Sequence, residues 1–137
     1  MTTNDPTAAL AARPTKRNAL LTWLIPVLIF MLTFPAGNYL GTTSLSFLVS
    51  LPNSISVIIT LLYTFGMVRE LNAAAGTTVK FWHIAIPFYN LYWLAVVVPG
   101  AMAIAKQKAG KPAPRGAVVY LFLFLYAFAA DLNDLAD

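Results

Sequence analysis

One histidine, no cysteine and five carboxylates are what this chain of 137 residues offers for chemistry. His83, Pro87 and Asn90 stand at i, i+4 and i+7, so on a helix they share one face, with His83 and Asn90 roughly 10 Å apart along its axis. An imidazole titrates in the physiological range. An amide surrounded by apolar residues needs a hydrogen-bond partner, which a facing helix supplies. This face could therefore handle protons or a ligand, or glue helices together. Lys80 lies three residues before His83 and marks the edge of the apolar stretch, where a hydrated imidazole costs little, so glue is the simpler reading. Pro26, Pro35, Pro52, Pro87 and Pro99 each remove a helical hydrogen bond and free a carbonyl, which can coordinate an ion or merely kink a helix to fit its neighbours.

Catalysis has little else to draw on. The sequence has no thiolate, no paired carboxylates at depth, no His-Glu metal spacing, no Gly-x-Ser-x-Gly and no phosphate loop. No catalytic residue, metal ligand or cofactor site is expected, and the chain is read as not an enzyme. Lys106, Lys108, Lys111 and Arg115 form a basic stretch without interleaved base-stacking aromatics, which suits anionic lipid headgroups better than nucleic acid.

The elements that must position these residues are dictated by composition. Apolar residues make up 59% of the chain and charged residues 10%, where a soluble domain carries about 25% charged residues. Lipid rather than water is the expected surrounding. Residues 1–18 are polar and Pro-interrupted and read as a mobile tail; residues 19–137 read as a transmembrane helical domain. Four apolar segments follow: Ala19–Leu40, Leu45–Val68, Phe81–Ala105 and Ala117–Ala130. A crossing needs about 20 residues, which the first three supply. The fourth must extend, and the helical pattern does continue through Leu132 and Leu135. The cost of one Asp at mid-membrane, about 2.5 to 3.5 kcal/mol, is expected to push Asp131 out to the interface.

The ends of segments two and four repeat one another. Leu62-Tyr63-Thr64-Phe65-Gly66 followed by Glu70-Leu71-Asn72 matches Leu125-Tyr126-Ala127-Phe128-Ala129 followed by Asp131-Leu132-Asn133. Trp23 and Pro26 match Trp82 and Pro87 at a similar spacing of about 60 residues. The chain therefore reads as two tandem helical hairpins, 19–72 and 79–133. The stretch Trp82-His83-Ile84-Ala85-Ile86-Pro87-Phe88-Tyr89-Asn90-Leu91-Tyr92-Trp93, the basic Gly-containing loop and the acid-Leu-Asn ending resemble a family of small bacterial multi-pass membrane proteins of unknown function built from Tyr-Trp helical hairpins. The resemblance spans Leu62 to Asn133 and implies a helical hairpin bundle without an activity.

Charge counting divides two topologies. Four crossings put five Lys and Arg residues on one face and four on the other, which barely orients the protein. If segment three dips in and returns, with Pro87-Phe88-Tyr89-Asn90 as its turn, all nine fall on one face and the Asp-rich tail on the other. The nearly uninterrupted apolar run and the repeat favour four crossings. The expected fold is thus an all-α polytopic bundle of four helices in two hairpins, the alternative being three crossings plus a re-entrant segment. Gly37-x-x-x-Gly41 and Ala101-x-x-x-Ala105 permit close helix contact. The functional expectation is an accessory or assembly subunit of a membrane complex in a bacterial inner membrane, homo-oligomeric or bound to other membrane subunits. The alternative is a small oligomeric pore or transporter lined by the His83 and Asn90 face.

Overall fold

The computed structural model describes residues 14–40 and 46–137, and among these it is helical with no strand. Helix α1, Ala19–Leu40, begins where the Asn18 side-chain oxygen accepts the Leu21 N–H at 3.1 Å, a side-chain N-cap that satisfies one orphan donor of the first turn. Helix α2, Ser46–Ala75, returns antiparallel to α1. The Ser56 hydroxyl donates to the Pro26 carbonyl across the pair at 2.9 Å. Gly76, at φ +68, ends α2 in the left-handed conformation, and a Cβ there would meet Lys108 Nζ at 3.1 Å. Helices α1 and α2 pack against one another, with α2 running seven residues beyond the expected end at Val68. Within it Ser54–Ala75 is long and apolar enough to cross a membrane, while Ala19–Leu32 is a shorter apolar helix.

The end where α1 begins and α2 finishes is here called the proximal end. Ion-paired and polar ties gather there, and the buried core lies just inside them. Met67, Val68, Leu71 and Ala75 form the inward stripe of α2 at helical spacing.

The third apolar segment is not one helix. It opens with a short 3-10 turn, Phe81–Ala85, turns at Ile86 to Phe88, and climbs back as α3 (Tyr89–Tyr92), a π-helical stretch (Trp93–Val97) and α4 (Val98–Lys108). Pro99 accounts for the π stretch. It has no N–H to give, and its ring would crowd the carbonyl of Ala95, so the turn before it widens and the Val98 N–H reaches Trp93 O instead. Both ends of the segment meet the C-terminal turn of α2: the Val79 backbone bonds to Asn72, and Lys108 Nζ donates to the Ala75 carbonyl at 2.6 Å. A crossing would have carried Lys108 to the far end. The segment goes out and comes back, with Pro87-Phe88 at its tip.

The fourth segment does the same. Helix α5, Ala117–Phe122, breaks at Leu123 (φ −126, ψ 42), and α6, Phe124–Ala136, returns. The Arg115 N–H lies 3.0 Å from Asp131 Oδ2, whereas a straight helix would hold those residues about 24 Å apart. Segments three and four are thus two out-and-back excursions from the proximal end rather than two long helices. The Asp-rich tail consequently shares that end with the basic residues. Helix α6 runs through Leu132, fully buried, and Leu135, packed against the core.

The tip of the first excursion is strained. Phe88 has φ 61, a left-handed value unusual for a bulky residue, and the Tyr89 N–H closes a tight three-residue turn onto the Pro87 carbonyl at 2.7 Å. Its side chain is 88% exposed and holds little packing. Phe88→Gly should therefore stabilise the fold by about 1 kcal/mol, the relief of about 1–3 kcal/mol of strain outweighing the entropy cost of glycine. Reversible unfolding in micelles checks this.

Candidate functional site

The most highly organised polar site is one that the sequence places far apart. Asp131 and Asp134 lie one turn apart on α6, so both carboxylates face the same way. Lys106, in the last turn of α4, donates to Asp131 Oδ1 and to Asp134 Oδ2, each at 2.7 Å. Arg115 Nη1 reaches Asp131 Oδ1 at 2.5 Å and Asp134 Oδ2 at 3.4 Å. The Tyr120 hydroxyl donates to Asp131 Oδ2 at 2.7 Å. With the Arg115 N–H, Asp131 accepts four hydrogen bonds, filling the lone-pair positions of a carboxylate. Side-chain exposure is 2% for Lys106 and 0% for Asp131, and the two cations offset the two anions. Burial works against the Arg115 charge, but the adjoining Asp131 and Asp134 more than offset it and hold the guanidinium above its ordinary range.

Lys106, Arg115 and Tyr120 stand around Asp131 in place of water, and Lys106 and Arg115 direct their charge to Asp131 and Asp134. The sequence marked Asp131 only through the repeated acid-Leu-Asn ending. Its cationic partners lie 16 and 25 residues away and leave no local signal.

The two halves of the repeat carry a shared device. Asn72 donates to the Val79 carbonyl at 2.8 Å and accepts the Val79 N–H at 2.8 Å. Asn133 likewise donates to the Arg17 carbonyl at 2.5 Å and accepts the Arg17 N–H at 2.9 Å. Each asparagine grips both backbone groups of a residue entering the other hairpin, while Leu71 and Leu132 beside them are fully buried. Truncating either side chain, Asn72→Ala or Asn133→Ala, leaves an N–H and a carbonyl without partners and should cost about 1–3 kcal/mol, measured by unfolding in micelles. Arg17 also holds Glu70 through both guanidinium nitrogens, at 2.6 and 3.1 Å, and Thr15 adds two further bonds to it. Glu70 therefore pairs with Arg17 rather than with its neighbour Arg69, and residues 15–17 are tied down rather than belonging to a mobile tail.

Lys16 binds Asp137 at the exposed rim, and its hydrogen bond and charge hold that carboxyl below its ordinary range. The sign follows from that depression: the pair contributes above the unfolded carboxylate value and loses its contribution as pH falls through the lowered one. In Lys16→Gln the Asp137 titration followed by carbon NMR should move upward in pH.

The expected polar face of segment three is not assembled. His83 lies in the 3-10 turn, its ring 4.3 Å from Trp82 and 5.0 Å from Tyr89. Pro87 sits at the turn and Asn90 on the returning helix, so the break between them abolishes the common helical face. Gly37 lies in α1, while Gly41 lies outside the described residues, so their close-contact motif is not described. Ala101 and Ala105 are both buried in the stripe of α4 with Val98 and Met102. Lys108 spends its ammonium on the end of α2, and Lys111 is half-buried near Asp137.

A second site was missed by the sequence reading: a notch of about 310 Å³ between the last turns of α2 and the chain descending from Val79. Phe65 and Phe81 form its apolar wall, edge to face at 5.0 Å, and Arg69, Lys80 and Trp82 line its rim. Among the described residues no group of three or more acidic, histidine or cysteine side chains is placed to hold a metal ion. No family model matches this chain, and neither a curated protein nor a solved structure does.

Proposed function

We propose that the chain is an integral membrane protein without enzymatic activity that serves as a subunit of a membrane assembly, formed with its own copies or with other proteins. Helices α1 and α2 cross the bilayer, and the two out-and-back excursions enter it from the proximal side. The observation that carries the reading is the segregation of the surface. Large apolar side chains stand exposed along both helices (Leu28, Met31 and Leu32 on α1; Ile55, Ile58 and Leu62 on α2), while the ion pairs gather at the proximal end. Exposed apolar surface on that scale suits lipid or a partner helix rather than water. Basic residues confined to one face would set that face toward the cytoplasm. The pore alternative loses support because His83 and Asn90 share no face.

The test is photo-crosslinking in native membranes from probes at Val57 and Leu62. Discrete protein adducts are expected from at least one position, and a protein that remains monodisperse in detergent-free buffer would overturn the reading.

A further inference from the structure

Charge accounting singles out the notch beside α2. All four described carboxylates are engaged elsewhere: Glu70 by Arg17, Asp131 and Asp134 by Lys106 and Arg115, and Asp137 by Lys16. The unpaired positive charge among the described residues therefore resides on Arg69, Lys80, Lys108 and Lys111. Lys108 is spent on the Ala75 carbonyl, and Lys111 adds its charge to that acting on Asp137. Arg69 and Lys80 are both exposed and line the same notch. Asn72, the other polar side chain there, has its amide committed to Val79. Lys80 stands 6.0 Å from the centre of the Trp82 ring, which is itself half exposed, as suits an indole at a headgroup boundary. Below the rim the Phe65 and Phe81 rings present an apolar wall.

We infer that this notch binds an anionic phospholipid, with the phosphodiester held between Arg69 and Lys80 and an acyl chain laid against Phe65 and Phe81. A phosphate oxyanion is the chemistry that two neighbouring unpaired cations recognise. The apolar wall directly beneath them favours a lipid over free phosphate. The inference rests on the membrane reading above, and it transfers the headgroup role from Lys106 and Arg115, which are neutralised internally, to Arg69 and Lys80.

The experiment titrates the purified full chain, in neutral detergent micelles, with phosphatidylglycerol carrying brominated acyl chains, and follows tryptophan quenching. Saturable quenching is expected, and it should be lost in Trp82→Phe. The double variant Arg69→Gln/Lys80→Gln should weaken binding by about thirty-fold, from two lost cationic contacts. Lys111→Gln, which removes one charge elsewhere, should bind as the parent does. Both substituted side chains of the double variant are exposed, and circular dichroism verifies its fold. Unchanged affinity in the double variant, equal binding of brominated phosphatidylcholine, or an equal loss in Lys111→Gln would overturn the inference. Displacement of the lipid by millimolar inorganic phosphate would also overturn it, by making the ligand a free anion. Behaviour in detergent-free buffer tests the membrane reading separately from these outcomes.

Discussion

Replacing Asp131 by alanine should destabilise the fold by about 3–5 kcal/mol, the scale expected when one member of a buried ion pair is removed. The loss arises less from the missing attraction than from what remains. Lys106 is 2% exposed and would keep only Asp134 as a partner, while the Arg115 N–H and the Tyr120 hydroxyl would lose their acceptor. Against a total stability of about 5–15 kcal/mol, such a loss reaches the threshold of unfolding. Asp131→Asn should cost nearly as much, since an amide keeps the shape but leaves two cations facing one carboxylate. The pair Asp131→Ala with Lys106→Met should cost clearly less than the sum of the single changes, because both remove the same interaction. Unfolding in mixed micelles gives all three values. A cost below about 1 kcal/mol for Asp131→Ala would place the carboxylate in water rather than in the core.

The second large effect is all-or-none. The chain has no cysteine, so single cysteines report position without background. Cysteines at Thr78, Lys111 and Asp137 should all react with an impermeant maleimide from one side of an oriented membrane. A cysteine at Ser46, the first residue of α2, should react from the other. The reason is the closure of both excursions at the proximal end: Lys108 bonds to Ala75, and Arg115 bonds to Asp131. Reaction of Lys111→Cys from the Ser46 side would reinstate four crossings. The same arrangement removes the awkward division of five cations against four, since every Lys and Arg of the described chain then falls on one face.

What the sequence by itself determined is whatever depends on near neighbours. Apolar runs and helix-compatible residues required helices, and the polar stretch ending at Asn18 marked where the first of them begins. A turn at Pro87-Phe88-Tyr89-Asn90 was legible only as the less favoured alternative to one kinked helix, and the recurrence of acid-Leu-Asn was legible as a repeat, whose asparagines make two matching grips. Tertiary structure alone decided which charges meet and which way the second half runs. Lys106 and Asp131 look like separate liabilities when each is priced against lipid or water, because a carboxylate's cost depends on donors brought in from residues far along the chain. Once folding supplies those donors, the carboxylate is held inside the fold. The path of the third segment has the same cause, since its apolar residues permit either a straight helix or a return, and the bonds of Asn72 and Lys108 to their distant partners bring both of its ends to one end of the fold.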